Sequence, residues 1–467
     1  MKAIKIFFII SLLTSTFSAC NFIDIDTPGL INDKQMFADE QGAKDALTGI
    51  YATLTKADLY GSNLSFGFID EIAQLYYNDH ESSTTTLLAK TYDLQYKDKE
   101  VRRIIDQIWA TAYYDIYAIN SLLEHIKDKD TPKMCNYRAQ ALAIRAMLHF
   151  DLLRLFAPNI NNPNALAIPY ITKASNQICE KKTVQECYQD IMHDLEEAKK
   201  EFLKKEYPTV KNVYITLNAV KAIQARVALW GNNNKKAATL AEEVINSHYK
   251  LVKENDVLQL FRGYDAETEC IWVLNAPKMY INVRQLFYPE HSTPTCNMVR
   301  ENYKRLFKTE TFSTINNDYR YQTYFTATNW GKPVTAFIKL YDKDYDESQQ
   351  WKSNRTPGIN MIRLPEMYYI LAEAIYDKDK QKSLKAINTV VTARGLQPIS
   401  MDEISTKKLF QKWIADEITR EYWGEGQIFF TYKRLWRSMD GLNGKHIEAS
   451  NETYVLPLPE SEKGLEK

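Results

Sequence analysis

The sequence predicts a mainly α-helical protein built from stacked helical hairpins, and three observations support this fold class. Gly and Pro number only 15 each among 467 residues, which favours long helices over a many-stranded sandwich or barrel. Apolar residues recur at three- and four-residue spacing in many segments, as on one face of a helix. Pairs of such segments are joined by short polar turns, which is typical of helical hairpins.

The clearest hairpin covers Arg363–Gly395. Pro365 marks the start of its first helix, because the first helical turn tolerates a missing N–H. The charged segment 377–381 forms the turn, and Gly395 is placed to end the second helix in a left-handed conformation. One such pair cannot cover its own apolar faces, so we expect it to stack on others.

Other segments carry the same periodicity. Gly231 followed by Ala237 resembles a tetratricopeptide-repeat turn, and we expect about four such hairpins in the chain. Thr183 and Glu186 have the spacing of a capping box, which predicts a helix beginning there. The remaining predicted helices cover 37–54, 100–127, 136–156, 217–230, 235–246 and 405–426.

The helical period fades between 249 and 360, where aromatic residues, Asn, Thr and Pro dominate. Cys270–Leu274 reads as a short strand, and 280–300 and 316–351 read as loops with short strands. We therefore divide the chain into a leader (1–19), an N-terminal helical part (20–248), an irregular loop-rich insertion (249–360) and a C-terminal part (361–467). Loops fixed on a rigid scaffold are where binding residues collect.

The N-terminus has the features of a lipoprotein leader. Lys2 and Lys5 precede the apolar run 6–13, and small residues lead to the string F-S-A-C, which ends at Cys20. We predict that residues 1–19 are a signal peptide and that Cys20 is lipidated with palmitate-type acyl chains, which anchor a protein without a spanning helix. The alternative is an ordinary secretory signal in which Cys20 is incidental.

Charge and cysteine content narrow the function. Lys plus Arg and Asp plus Glu both number 59, so the chain lacks the basic excess of a nucleic-acid-binding protein. Cys179 and Cys187 are near enough in sequence to form a disulfide, but the spacing does not decide the pairing. No C-x-x-C or H-E-x-x-H string occurs, and we predict no cofactor.

One acidic run resembles the start of a calcium-binding loop. Asp342, Asp344 and Asp346 have the spacing with which an EF-hand loop begins, but Glu347 and Ser353 replace the glycine and the bidentate glutamate that complete it. A loose Ca²⁺ site is the minor alternative, and no metal site is the main expectation.

No catalytic motif is evident, since the chain lacks a G-x-S-x-G elbow, a phosphate-binding P-loop and a dinucleotide fingerprint. Glu417, Glu421 and Glu425 share one helix face, and we interpret them as structural residues compensated by Arg420 and Lys433 rather than as a glycosidase dyad. His149 has no His or Cys one helical turn away, so we interpret it as a core histidine and not as a ligand or base. The chain is therefore predicted not to be an enzyme.

Three groups combine aromatic with polar side chains, as a sugar-binding surface does. Sugar rings stack their C–H faces on Trp and Tyr, while Asn, Asp and Arg pair with the hydroxyls. For any single residue, packing in the core is the alternative. The candidate ligand-binding residues are Tyr76, Tyr77, Asn78 and Asp79; Tyr280, Asn282, Arg284 and Tyr288; and Asn329 and Trp330.

Several strings resemble the SusD/RagB family, which comprises nutrient-capturing surface lipoproteins of Bacteroidetes. The string R-L-P-E-M-Y-Y-I-L-A-E-A begins at 363, and E-Y-W-G-E-G-Q at 421 is similar to the closing signature of the family. The string F-A-D-E-Q-G-A-K-D-A-L begins at 37 and resembles the opening helix. Ile428 and Thr431 depart from the family's usual Arg and Asp.

The resemblance implies a non-catalytic protein of the outer membrane. It would capture an oligosaccharide and deliver it to a SusC-like TonB-dependent transporter. Asp24 and Asp26, just after Cys20, resemble the export signal that directs such lipoproteins to the outer face of the membrane. Capture of a peptide, as in RagB-like relatives, is the first alternative. An extracellular hydrolase and a purely structural scaffold are alternatives of other classes.

Overall fold

Helices form most of the described chain, as the predicted fold class requires. In the computed structural model the described residues are 36–37, 39–77, 86–175, 177–205, 207, 212–253, 256–261, 268–276, 279–287, 297–298, 300–308, 317–329, 333–340, 358–441 and 444–462. The helices are α1 (Glu40–Leu54), α2 (Phe68–Ile72), α3 (Leu87–Tyr92), α4 (Lys99–Ile126), α5 (Pro132–Phe156), α6 (Val184–Lys204), α7 (Leu217–Trp230), α8 (Asn234–Ile245), α9 (Asp256–Gln259), α10 (Met279–Phe287), α11 (Arg300–Phe307), α12 (Tyr319–Tyr324), α13 (Leu364–Ile375), α14 (Lys380–Ala393), α15 (Lys407–Tyr422), α16 (Ile428–Leu435) and α17 (Asn451–Tyr454).

The strands are short and lie between the helical segments. They are β1 (Tyr76–Tyr77), β2 (Leu166–Pro169), β3 (Lys181–Thr183), β4 (Cys270–Asn275), β5 (Asn297–Met298), β6 (Phe325–Asn329), β7 (Pro333–Phe337), β8 (Gly358–Arg363), β9 (Met439–Asp440) and β10 (His446–Ile447). One described sheet has four strands in the order β1-β5-β7-β6, and the other strands pair as β2-β3, β4-β8 and β9-β10, with every pairing antiparallel.

The long helices stack side by side in chain order. α1 packs on α4, α4 on α5, α5 on α6, α6 on α7 and α7 on α8. α8 then packs on α13, although more than a hundred residues separate them in sequence, and α13 packs on α14. The stack therefore continues across the insertion, and the insertion is attached to its side.

The Arg363–Gly395 hairpin has the predicted form. α13 begins at Leu364 with Pro365 in its first turn, and the Ser383 hydroxyl on α14 donates to the Ala372 carbonyl at 2.8 Å. Gly395 has φ +85°, and a Cβ at that position would lie 2.3 Å from the Asn317 carbonyl oxygen. Glycine is required there both by the left-handed backbone and by this close approach.

Three predictions about helix positions were wrong, one of them for 316–351, which was predicted as loops with short strands and contains α12. The helix predicted for 405–426 ends at Tyr422, because Gly424 and Gly426 adopt φ +80° and +71° and turn the chain. The segment predicted as a loop from 280 contains α10, whose buried face includes Val283 and Phe287 one turn apart. An isolated nine-residue helix between loops gives too short a periodic signal to be distinguished from a loop.

The capping box predicted at Thr183 is present. Thr183 Oγ1 accepts from the Glu186 N–H at 3.2 Å, and the Glu186 carboxylate accepts from the Thr183 N–H at 2.8 Å. Cys179 is exposed and Cys187 is buried, and both are free thiols. None of the described helices is long and apolar enough to cross a membrane.

His149 is a core histidine, as predicted. Its Nδ1–H donates to the Arg145 carbonyl at 2.9 Å, and its Nε2 accepts from the Ile171 N–H at 3.1 Å. The ring also stacks on Tyr170 with the centroids 3.9 Å apart. Burial lowers the pKa of His149 to about 3, because the imidazolium form would be poorly solvated.

We expect His149 to make the protein sensitive to acid. The folded-state pKa lies below the ordinary value of 6.5, so the stabilisation is fully present above pH 6.5 and is lost as the pH falls towards 3. At about 1.4 kcal/mol per pH unit, this amounts to roughly 5 kcal/mol over that window. Urea unfolding at several pH values should show a shallower acid slope for His149→Leu than for the wild type. His193→Leu, at an exposed position, should leave the slope unchanged, and equal slopes for His149→Leu and the wild type would refute this assignment.

Candidate ligand-binding face

The four-stranded sheet contains two residues of the first predicted group. Tyr76 and Tyr77 form β1, which pairs with β5 so that Tyr77 lies opposite Asn297. The last described residue before position 78 therefore lies beside the first described residue after position 287. We call this edge, marked by Tyr77 and Asn297, the β1–β5 end.

Asn329, from the third predicted group, lies at the opposite end of the sheet. Asn297 is opposite Ala336 on β7, whereas Asn329 at the end of β6 pairs with Pro333, three residues further along β7. At about 3.4 Å per residue the β6–β7 hairpin is roughly 10 Å from the β1–β5 end. Asn329 therefore does not share one edge with Tyr77.

The prediction that Tyr76 stacks on a ligand is not supported, because its ring is fully buried. The centroid of Tyr76 lies 5.0 Å from that of Phe287, 5.8 Å from Phe337 and 6.2 Å from Trp423. Phe325 completes this aromatic cluster at 5.5 Å from Trp423. The cluster attaches the sheet to α10 and to the segment after α15, so Tyr76 positions the β1–β5 end from beneath.

Two further predicted residues also attach α10 to the scaffold. Tyr280 is only 7% exposed, and the Asn282 amide donates to the Gly61 carbonyl at 3.0 Å. Arg284 is half-buried on the same helix. The structure thus gives Tyr280 and Asn282 a packing role, the alternative that the sequence left open for each residue.

The other predicted residues lie wholly or partly outside the described part of the chain. Only the backbone is described for Tyr77 and Asn329. Outside the described residues are Cys20, Asn78, Asp79, Tyr288, Trp330, Asp342, Asp344 and Asp346. Among the residues that the structure does describe, no group of three or more His, Cys, Asp or Glu side chains is arranged to hold a metal ion.

The turn after α15 holds α2 against this sheet. Asp70 Oδ2 accepts from the Gly424 N–H at 2.8 Å. Burial raises the pKa of Asp70 well above its usual range, although the Gly424 amide acts to lower it. The two left-handed glycines 424 and 426 place Glu425 between them, pointing towards Arg363 and Lys339.

A buried carboxylate network lies behind the aromatic cluster. Arg363 Nη1 donates to Glu421 Oε1 at 2.6 Å and to Glu269 Oε1 at 2.9 Å. Arg394 Nη2 donates to the same two oxygens at 2.8 and 2.7 Å. All four side chains are fully buried, so two guanidinium groups and two carboxylates neutralise one another out of contact with water.

The network extends into the insertion through a lysine. Lys339 Nζ, just after β7, donates to Glu425 at 2.6 Å and to the Trp423 carbonyl at 2.8 Å. Arg363 binds the same Glu425 carboxylate with two hydrogen bonds, at 2.7 and 2.8 Å. The sheet is therefore fixed to the helical stack by charge as well as by aromatic packing.

Glu417 is the third of the predicted glutamates; it lies on α15 with Glu421, whereas Glu425 lies in the turn after α15, so the predicted sharing of one helix face was wrong for Glu425. Glu417 accepts from Arg320 Nη1 at 2.8 Å and from Arg420 Nη2 at 2.6 Å. Burial acts to raise the pKa of Glu417, but Arg320 and Arg420 outweigh burial and bring it to about 2. The structural interpretation of the three glutamates is thus confirmed, and so is the predicted role of Arg420.

The predicted role of Lys433 was wrong. Its Nζ donates to the carbonyl oxygens of Ala157 and Tyr454 at 2.7 and 2.8 Å, and to that of Arg154. Lys433 is therefore occupied at the C-terminal end of α5, where unpaired carbonyls favour a cation. It ties the C-terminal segment of the chain to the stack and does not compensate the glutamates.

The fold and the site define a helical-hairpin scaffold that carries a small loop-bearing sheet on its side. Two family models match the chain in tandem: one described as "Starch-binding associating with outer membrane" over residues 32–229, and one described as "SusD family" over residues 252–461. The chain belongs to the SusD/RagB family, as its sequence strings indicated.

Solved structures show the same fold. A SusD superfamily protein from Bacteroides thetaiotaomicron aligns with a TM-score of 0.74 at 22% identity, over 90% of this chain and 97% of that one. A SusD-like carbohydrate binding protein from Bacteroides vulgatus aligns with a TM-score of 0.75 at 19% identity, over 91% and 96%. A SusD superfamily protein from Bacteroides fragilis gives 0.70 at 21%, over 92% and 99%. No curated protein matches the chain.

Proposed function

We propose that the protein is a cell-surface binding protein that captures an oligosaccharide for uptake. The observation that carries the proposal is the tandem family match from 32 to 461, whose first model is described as starch-binding and associated with the outer membrane. Acyl chains on Cys20 anchor the protein to the outer membrane, facing the exterior. Its partner there is a SusC-like TonB-dependent transporter, to which the ligand is delivered.

The chemistry of the β1–β5 end suits a saccharide. In the sequence, Asn78 and Asp79 directly follow Tyr77, and the segment that leads to Asn297 begins with Tyr288. An aromatic ring offers a stacking surface for the C–H face of a sugar, and the amide and carboxylate pair with hydroxyl groups. The rigid network and aromatic cluster beneath reduce the entropy that these segments lose on binding.

We do not propose that the protein hydrolyses its ligand. Glu417, Glu421 and Glu425 are buried and held by guanidinium groups, so none is available as a general acid beside a sugar. The protein is proposed to hold its ligand unchanged.

The test uses the full-length protein in detergent with a panel of neutral oligosaccharides and, in parallel, a panel of unstructured peptides. Calorimetric titration should show binding of one saccharide class, and chromatography of the ligand afterwards should recover it intact. Binding of peptides alone would favour the RagB-like alternative. Shortened saccharide products would show a hydrolase, and binding of neither panel would favour a structural scaffold.

Substitution of the candidate aromatics tests where the ligand lies. Tyr288→Ala should weaken saccharide binding about fivefold to tenfold, since a stacked ring contributes roughly 1 kcal/mol. Trp330→Ala tests the opposite end of the sheet in the same titration. Trp436→Ala is the matched control, because Trp436 is 44% exposed on a distant helix end. Unchanged affinity in both Tyr288→Ala and Trp330→Ala would remove these residues from the site.

A further inference from the structure

A cleft of about 420 Å³ is lined by other residues than those that mark the β1–β5 end. Its walls are the end of α11, the residues before α12, the segment after α14 and one face of α15. Its volume falls within the range of about 300–1,000 Å³ that is typical of small-molecule sites. The side chains that carry the argument are Arg305, Asn317, Gln397, Pro398, Trp413 and Asp416.

The end of α11, which forms the first wall of the cleft, is held to α15 by charged side chains. Trp413, Asp416 and Arg420 lie on one face of α15, and the Arg420 guanidinium lies 5.9 Å from the centre of the Trp413 indole. Arg420 Nη1 donates to the Leu306 carbonyl at the end of α11 at 2.7 Å, and Arg305 forms an ion pair with Asp416. The indole is therefore held in place and remains half-buried at the cleft.

The segment after α14 and the residues before α12, which form further walls of the cleft, are also held in place. The Asn388 side chain on α14 donates to the Ile399 carbonyl at 3.0 Å and accepts from the Ile399 N–H at 2.8 Å. The Tyr319 N–H donates to the Arg394 carbonyl at 3.0 Å, which holds the residues before α12 against the end of α14. The cleft is thus formed by four segments that are held in place before any ligand arrives.

The half-buried charges of the cleft are already paired, and the other lining lysine and glutamate, Lys308 and Glu403, are exposed to solvent, so the interior of the cleft favours a neutral ligand. Asp416 is shared by Arg305 and Arg437, and Arg420 is paired with Glu417. The indole of Trp413 and the apolar residues after α14 provide a flat apolar wall. The exposed amides of Asn317 and Gln397 provide hydrogen-bonding groups at its edge. A pyranose ring has this combination of an apolar face and a rim of hydroxyl groups.

We propose that this cleft is a second saccharide-binding site, in which one neutral pyranose unit stacks on Trp413 and its hydroxyl groups bind Asn317 and Gln397. The inference rests on the proposed function only for its ligand class. A second site on one chain would let the protein hold a longer glycan, or two chain segments, through effective concentration.

The test labels the full-length protein with 5-fluorotryptophan and follows the fluorine resonances of its eight tryptophans. The Trp413 resonance is the one missing from Trp413→Phe. Maltoheptaose, xylohexaose and mannohexaose, each up to about 10 mM, are the probes. At least one probe should shift the Trp413 resonance in a saturable manner, and Asn317→Ala with Gln397→Ala should weaken that response at least fivefold. Gln381→Ala, at an exposed position outside the cleft, is the control.

The outcomes separate this inference from the proposed function. A Trp413 shift that persists in Tyr288→Ala supports a separate site. No Trp413 shift with any probe, or a shift abolished by Tyr288→Ala, would overturn the inference even if a saccharide binds at the β1–β5 end. A Trp413 shift without any effect of Tyr288→Ala or Trp330→Ala on affinity would support the cleft and remove the predicted ligand face.

Discussion

Arg363→Met is expected to lower the free energy of unfolding by about 3–5 kcal/mol, one of the two largest effects that the structure predicts. The substitution keeps an unbranched apolar stem but removes the guanidinium shared by Glu269, Glu421 and Glu425. Three buried carboxylates would then have only Arg394, Arg320 and Lys339 to compensate them. Urea unfolding at pH 7 measures the loss.

Arg103→Met is the matched control, because Arg103 is exposed on α4. Its substitution should change the free energy of unfolding by less than about 0.5 kcal/mol. If Arg363→Met were as stable as Arg103→Met, the buried network would not be holding the insertion to the helices.

Trp423→Ala is expected to cost about 3–5 kcal/mol as well, and also to weaken saccharide binding. The indole is fully buried, and its loss leaves a cavity between Tyr76 and Phe325, which carry β1 and β6. Because these strands set the position of the β1–β5 end, the effect on binding should appear without any change in a residue that contacts ligand.

Trp436→Ala serves again as the control, since it removes an indole that is 44% exposed. Thermal unfolding and calorimetric titration of both variants give the two readouts. A Trp423→Ala protein that is destabilised yet binds saccharide with wild-type affinity would show that the aromatic cluster has no part in shaping the ligand face.

The helical scaffold could be predicted from the sequence because its signals are local. A stripe at three- and four-residue spacing, Pro365 in a first turn and Gly395 after a last turn each act within one helix. The end of α15 was missed since two glycines after an apolar stripe do not reveal which backbone conformation they adopt. α10 was missed because it is short and lies among loops.

The site was harder to predict because its contacts are distant in sequence. Nothing local shows that Tyr76 would meet Trp423, or that Arg320 would meet Glu417. Aromatic residues look alike in sequence whether they form a core or a platform, and Tyr76 and Tyr280 proved to be buried. The arginines of the R-x-P-E and A-R-G strings, Arg363 and Arg394, could have indicated the buried network, since charged residues inside apolar helical segments often have buried partners.

The most direct test of the central claim, that a helical stack displays a saccharide-binding edge, is a crystal structure of the full-length protein with the oligosaccharide that binds most tightly in titration. The ligand is expected at the β1–β5 end, against the segments that follow Tyr77 and precede Asn297. Its density would run beside an unaltered aromatic cluster. A ligand bound only on the helical stack, with the β1–β5 end untouched, would contradict the account.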